Sequence, residues 1–284
     1  MLIGEPAPGG SRLQRLPPES YAIVRPVFRG LRHVLAIGSI IEGHTPACVA
    51  VDDLGNPRTA WMWDLQGEML IGGDPTCAAT NRAIARLIAN DVVPDARSRG
   101  IPELGLFYDA PEWEAQLGAL LPGLKHELLL RRYYAFAGPR PEWRSWLSGA
   151  GAVHRLDESW LSRQDMPNAR EMAGWVDSFW HSHADFVRAS VGSCLVDEGA
   201  IASWCLGVFV SGRQVELAVA TVPEYRGRGY ATAVAAHCVA LCAERGLAPH
   251  WHCWETNIPS RRVAERVGFV NPTRYTVVYI DLRL

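Results

Sequence analysis

Two arginines and two glycines alternate at Arg226-Gly227-Arg228-Gly229, between an apolar stretch (214–222) and a stretch of helical period (229–245). Glycine takes positive φ at little cost, so such a loop can turn several backbone N–H groups onto one point. The point falls at a helix start, where unpaired N–H groups and the helix dipole favour an anion. This is chemistry for a phosphate or a pyrophosphate. Neither common nucleotide loop is present, since there is no G-x-G-x-x-G and no G-x-x-x-x-G-K-[ST]. The pattern is Arg226-x-x-Gly229-x-Ala231. Taken alone, it is equally a surface turn before a well-started helix.

Other reactive side chains can be sorted by spacing. Glu216 stands ten residues before Arg226, as the acid on the core of strand 214–222. It is either a catalytic carboxylate or a strand-edge partner for one of many arginines. His181 and His183 flank a serine, and His250 and His252 share one strand face. Zinc takes three or four ligands from separate elements, and no third ligand is evident, so no metal site is expected. Seven cysteines form no C-x-x-C pair and no disulfide framework, which fits a reducing cytoplasm.

These residues need a scaffold. Hydrophobic and turn patterns place strands at 47–51, 58–64 and 68–71, with Trp61 and Trp63 alternating on the second. A helix follows at 77–90, then strand 104–108, helix 112–121 and strand 127–136. Ala137-Gly138-Pro139-Arg140-Pro141 reads as a linker. Beyond it come helix 169–189, a meander at 192–197, 200–210 and 214–222, helix 229–245 ending at Gly246, strand 250–255, helix 260–267 and strand 274–282. Helix 229–245 turns Tyr230, Val234, Cys238, Leu241 and Cys242 to one buried face.

At 284 residues the chain is long enough for two domains, and 48% hydrophobic content supports real cores. The net charge of −2 gives no electrostatic reason to expect nucleic acid or an anionic membrane as partner. No apolar run is long enough to span a bilayer, and Met1-Leu2-Ile3-Gly4-Glu5-Pro6 lacks signal-peptide regions. A cytoplasmic monomer or homodimer is expected. Only one of the 28 basic residues is lysine, the usage of a GC-rich genome.

The loop also stands in a longer pattern. Val222-Pro223-Glu224-Tyr225 leads into it, and Asn257-Ile258-Pro259-Ser260 followed by Ala264-Glu265-Arg266-Val267-Gly268-Phe269 comes about thirty residues later. Over roughly 150–284 these runs resemble the GNAT (GCN5-related) N-acetyltransferase superfamily. Glu216-Leu217-Ala218-Val219, the loop, Trp251-x-Cys253 and 257–269 resemble its zwittermicin-resistance type, in which an antibiotic amine is acetylated and inactivated. The resemblance implies an α/β fold with a mixed, mostly antiparallel twisted sheet flanked by helices. It implies a bacterial acyltransferase that moves an acetyl group from acetyl-CoA to a primary amine of a small molecule by direct attack.

By the same resemblance, the backbone N–H groups of Arg226, Gly227, Arg228, Gly229, Tyr230 and Ala231 would hold the pyrophosphate. Ala220, Thr221 and Val222 would pair with the pantetheine arm and polarise the thioester. Asn257, with Ser260, would bond the cysteamine portion, or the two simply start a helix. Glu216 would be catalytic. Many members carry a tyrosine where this chain has Ala264, so either no general acid is used or one of Tyr275, Tyr279, His252 and Cys253 supplies it. A biosynthetic acyltransferase using another acyl-CoA and an inactive CoA-binding module are the alternatives. The division expected is 1–138, an α/β domain, and 139–284, the acetyltransferase. The first is either a degenerate copy of the second, with Gly72-Gly73-Asp74-Pro75 in place of its loop, or an unrelated cap. Asp74 there would repel a pyrophosphate and Pro75 lacks an N–H.

Overall fold

The computed structural model describes residues 13–139 and 152–283. The chain folds as two compact units, Met1–Leu129 with Thr276–Leu284, and Leu130–Tyr275. Of the expected linker, Arg140 and Pro141 lie outside the described residues, as does the stretch Met1 to Pro6.

The first unit opens with β1 (Gln14–Arg15), α1 (Leu35–Ile41), β2 (Cys48–Val51), β3 (Thr59–Trp63) and β4 (Glu68–Gly73), the four strands pairing antiparallel in order. Helices α2 (Ala78–Leu87) and α3 (Val93–Ser98) then cross over, and β5 (Glu103–Tyr108) returns parallel to β4. A short α4 (Leu117–Leu120) follows. The last strand of the chain, β12 (Phe269–Asp281), lays its 278–281 end antiparallel on β5. Trp61, Trp63, Ile84, Leu106, Trp113 and Ile280 are central to the core.

Three details depart from the patterning. Strand β3 does not alternate, because Ala60 and Met62 are buried as fully as Trp61 and Trp63, the signature of a strand covered on both faces. The helix expected at 77–90 continues through a π-turn (Ile88–Val92) into α3, with Pro94 two residues past the π-turn. The first half of the helix expected at 112–121 is a 3-10 helix (Pro111–Gln116). Between β3 and β4 a tight turn forms around Asp64, whose Oδ1 accepts from the backbone N–H of Gln66, Gly67 and Glu68 at 2.8, 3.1 and 2.9 Å.

In the second unit β6 (His126–Phe136), which begins in the first, is followed by β7 (Ala152–Arg155), α5 (Glu158–Leu161), α6 (Ala169–Phe179) and α7 (His183–Ala189). Then come β8 (Gly192–Asp197), β9 (Ala200–Ser211), β10 (Gln214–Thr221), α8 (Tyr230–Arg245), β11 (Ala248–Trp254) and α9 (Ile258–Val267). Strands β7, β8, β9 and β10 form an antiparallel meander, β11 joins β10 in parallel, and β6 pairs antiparallel with β11. This is the mixed, mostly antiparallel sheet flanked by helices that the motifs implied.

The helix expected at 169–189 is two helices. Trp180 leaves the helical region (ψ 151°), its indole donates to Gly207 O at 3.2 Å, and Ser182 caps α7 by accepting from Asp185 N. Helix α8 buries the expected face, with Tyr230, Val234, Cys238, Leu241 and Cys242 all inside. Burying one such side chain contributes roughly 1.5–3 kcal/mol. Strand β12 starts directly after Gly268, five residues before the expected position, because the exposed run 271–274 carries no apolar pattern to announce it.

Both units share one local order: a meander, a loop, a helix and a strand parallel to the last meander strand. In the first unit the loop is filled by its own carboxylate. Asp74 Oδ1 accepts from Thr76 N and Thr76 Oγ1, and Arg58 pairs with the same group.

Candidate active site

The parallel ladder between β10 and β11 registers Gln214 with Ala248, Val215 with Pro249 and Glu216 with His250. Beyond that pair the strands part. From Leu217 to Thr221 β10 is registered on β9, and from Trp251 to Trp254 β11 is registered on β6. A wedge therefore opens along residues 217–221, roughly 17 Å of strand at about 3.4 Å per residue. At its wide end the chain turns through a 3-10 helix (Pro223–Tyr225) into the glycine-arginine loop.

The loop has the backbone its glycines allow. Gly227 and Gly229 take φ of 80° and 83°, and Gly229 is the N-cap of the sixteen-residue helix α8. A cleft of about 900 Å³ opens over it. Ala220, Thr221, Val222, Arg226, Gly227, Gly229, Tyr230, Ala231, Asn257 and Ser260 line this cleft; of the residues expected to hold a cofactor only Arg228 does not. Arg228 braces the loop from behind. It pairs with Asp197 at 3.1 Å and lies over the Tyr225 ring, and the Tyr230 hydroxyl donates to the same Asp197 carboxylate at 2.6 Å. That bond pushes the Tyr230 phenol up. Asp197 had no signal in the sequence, since it sits at a strand end far from any motif.

Residue pairing fixes which face each side chain takes. Glu216, Ala218 and Ala220 stand opposite Phe209, Leu206 and Trp204 on β9, with a bulge between Glu216 and Leu217 keeping Phe209 on this face. Trp204 and Phe209 make edge-to-face contacts with Trp175 and Phe179 of α6, at 5.8 and 5.4 Å. So Glu216 belongs to the α6 face of the sheet. Val219 pairs with Cys205, whose carbonyl accepts from Cys238 Sγ of α8 on the other face.

Glu216 does not line the cleft itself. It lies at the apex of the wedge, with His252 Nε2 4.0 Å from its Oε2 and both side chains largely buried. Tyr275 Oη is 2.9 Å from His252 Nδ1, and the Tyr133 ring stacks on the imidazole at 5.8 Å. The structure thus brings together three residues that the sequence left separate.

Asn257 caps α9, its Oδ1 accepting from Ser260 N at 3.1 Å, and Ser260 Oγ accepts from Trp251 Nε1 at 3.1 Å. Both also face the cleft. Ala264 is fully buried. Of the substitutes for the missing tyrosine, Tyr279 is engaged in the first unit, its hydroxyl bonded to Glu103 at 2.8 Å. Cys253 is buried, and burial pushes its thiol up, away from a reactive thiolate. Trp204 forms cleft wall, with Trp175 and Glu171 of α6 beside it. Trp254 instead packs under Arg131. Glu171, Trp175, Arg262 and Arg266 are cleft residues that the sequence did not single out.

Among the described residues, no group of three or more His, Cys, Asp or Glu could hold a metal ion, and no helix is long and apolar enough to cross a membrane. All seven cysteines carry free thiols. His183 pairs with Asp177 at 3.0 Å, and His250 Nε2 lies 2.9 Å from Gln214.

Known proteins match at both levels. A GNAT acetyltransferase family model matches residues 25–278. The uncharacterized N-acetyltransferase YdfB of Bacillus subtilis is 27% identical over 271 residues, covering 95% of this chain and 99% of that protein. A GCN5-related N-acetyltransferase-like protein from Streptococcus suis superimposes with a TM-score of 0.68 at 18% identity, over 92% of this chain and 98% of its own. A tandem GNAT protein from the clavulanic acid biosynthesis pathway gives 0.53 at 12% identity, over 95% and 98%. These two similarities concern the fold. With a family match that runs through both units and a relative aligned nearly end to end, this chain belongs to the GNAT acetyltransferase family and is an acyltransferase.

Proposed function

We propose that the protein is an acetyl-CoA-dependent N-acetyltransferase acting on a primary amine of a small, amino-bearing metabolite, by direct attack within a ternary complex. The observation that carries this is the parting of β10 and β11 at Glu216 and His250, directly upstream of an anion-receiving loop. The backbone N–H groups of 226–231 would receive the pyrophosphate. A Cβ at Gly227 or Gly229 would meet nothing within 4 Å, so the space above both glycines is open. Residues 220–222 would pair with the pantetheine arm along the open side of β10, and Asn257 and Ser260 would face it from α9. The first unit is then a degenerate copy whose loop is closed by Asp74, and binding belongs to the second unit alone.

The acceptor would enter on the α6 face, past Glu171 and the Trp175–Trp204 pair. Its nitrogen attacks the thioester carbon, the C–N bond forms, and the C–S bond breaks as the thiolate leaves. A thiol with pKa about 8.5 leaves without a dedicated acid, which suits a chain with Ala264 in that position. The ammonium must lose a proton first. An ordinary glutamate lies about 6 units below an alkyl ammonium, roughly 8 kcal/mol, so one-step transfer to Glu216 would be too costly. Glu216 instead holds the ammonium and passes its proton through water toward His252, at a separation that one water bridges.

The test is thermal unfolding with and without acetyl-CoA, for the parent and Gly229→Asp. At 100 times Kd a ligand of the folded state adds about 2.7 kcal/mol, or roughly 5–10 °C. The parent should gain that shift and the variant lose it. Gly229→Asp also strains a residue at φ 83°, so the readout is the ligand-induced shift of each protein and not its starting Tm. No shift in the parent would overturn the reading.

A further inference from the structure

The cleft is divided by charge. Glu171 stands on the α6 side, whereas Arg226, Arg262 and Arg266 stand on the loop and α9 side. Arg226 is committed locally, its Nε donating to Thr221 O at 3.3 Å. The other two are different. Pro259, Arg262, Val263 and Arg266 follow the helical spacing and make one face of α9, the face turned to the cleft. Both arginines are exposed, and among the described residues neither has an ion pair or a side-chain hydrogen bond. Neighbouring arginines are engaged. Arg132 and Arg274 pair with Glu255, and Arg261 donates to Glu255 O. Two unpaired guanidinium groups one turn apart, lining the same cleft as an anion-receiving loop, are matched to a second phosphate separate from the one on the loop. Guanidinium is the side chain best shaped for that group, offering two parallel N–H donors to its oxygens.

We propose that Arg262 and Arg266 form a phosphomonoester subsite that reads the ribose 3′-phosphate of coenzyme A, so that the enzyme distinguishes coenzyme A from its 3′-dephospho form. This rests on the acetyl-CoA reading above and extends it to a group the loop does not touch. The phosphomonoester carries nearly two negative charges at neutral pH and ends in three acceptor oxygens, enough for both arginines at once.

The experiment is calorimetric titration of coenzyme A and of 3′-dephospho-coenzyme A into the parent and into Arg262→Gln/Arg266→Gln. The parent should bind coenzyme A at least about tenfold more tightly, and the gap should narrow as salt rises from about 50 to 300 mM. The double variant should hold both ligands alike, with its affinity for the dephospho form unchanged within about twofold. Both side chains are exposed, so its unliganded Tm should stay within about 2 °C of the parent. Arg262→Lys/Arg266→Lys keeps the charges and should recover part of the preference. Equal affinity of the parent for the two ligands overturns the subsite while leaving the loop reading standing. Equal weakening of both ligands in the double variant overturns it too. Failure of the parent to bind either ligand removes the acetyl-CoA reading and the subsite together.

Discussion

Replacing Asp64 with asparagine should make the protein more stable at pH 8, by an amount that shrinks steadily as pH falls toward 4. Asp64 is fully buried in the turn between β3 and β4, and its Oδ2 has no partner among the described residues. Burial, followed by the nearby charge of Glu68, pushes its carboxyl up from 3.8 to about 7, against three backbone N–H bonds that pull it down. The folded state therefore keeps the proton to near neutrality, whereas the unfolded chain releases it near pH 4. Between those values the unfolded state binds fewer protons, so this residue's contribution to stability falls as pH rises and is flat above pH 7. A shift of about 3 units at about 1.4 kcal/mol each sets an upper bound of about 4 kcal/mol. Asparagine keeps an oxygen for the three N–H donors and does not titrate. Urea unfolding followed by tryptophan fluorescence at pH 5, 6, 7 and 8 should show the variant's advantage growing to about 2–4 kcal/mol by pH 8. The difference between the two proteins is the measure, because carboxylates held low, such as Glu255 beside Arg132, slope the other way. A difference that does not change with pH would refute the argument, as would a variant less stable throughout.

Two further outcomes concern the second unit. Glu216→Gln should lower kcat/KM for the amine by about 10²- to 10⁴-fold while acetyl-CoA affinity stays within about twofold; unchanged kcat/KM would remove the carboxylate from the mechanism. Gly268→Ala should cost about 3 kcal/mol or more in urea unfolding, because φ is 113° and the new Cβ would press into the Gly138 carbonyl. A loss below about 1 kcal/mol would show that the backbone there yields freely.

That last position shows why parts of the fold could be read in advance. Gly268 is demanded by one backbone contact, and such demands leave a residue type behind in the chain. Gly227, Gly229 and the buried stripe of α8 are of the same kind, local requirements with local signatures. Glu216 was visible as an acid inside a strand, but its neighbours were not. His252 reaches it from β11 and Tyr275 from β12, and such pairings depend on strand order, which no spacing along the chain encodes. Asp197 illustrates the same limit. Its role as the brace behind the loop comes from a meander turn that places the end of β8 next to Arg228 and Tyr230. The break at Trp180 was hidden because apolar spacing continues across it, while the residue that stops the helix does so by bonding Gly207, 27 positions away. Glu171 and Trp175 have ordinary helix-surface types, and only the cleft gives them meaning.

The first unit is made from both ends of the chain, whereas Leu130–Tyr275 is one uninterrupted segment. Synthesis from the N-terminus therefore completes the two in reverse order. The ribosome releases everything the second unit requires while β5 still waits for the partner edge supplied by 278–281. Until then Leu104 and Leu106, buried in the finished protein, lie on an open sheet edge. A stop codon at position 276 would spare every atom of the candidate active site and still deny the N-terminal half its closing strand. Loss of soluble protein, with intact cofactor affinity in whatever survives, is the phenotype that this threading dictates.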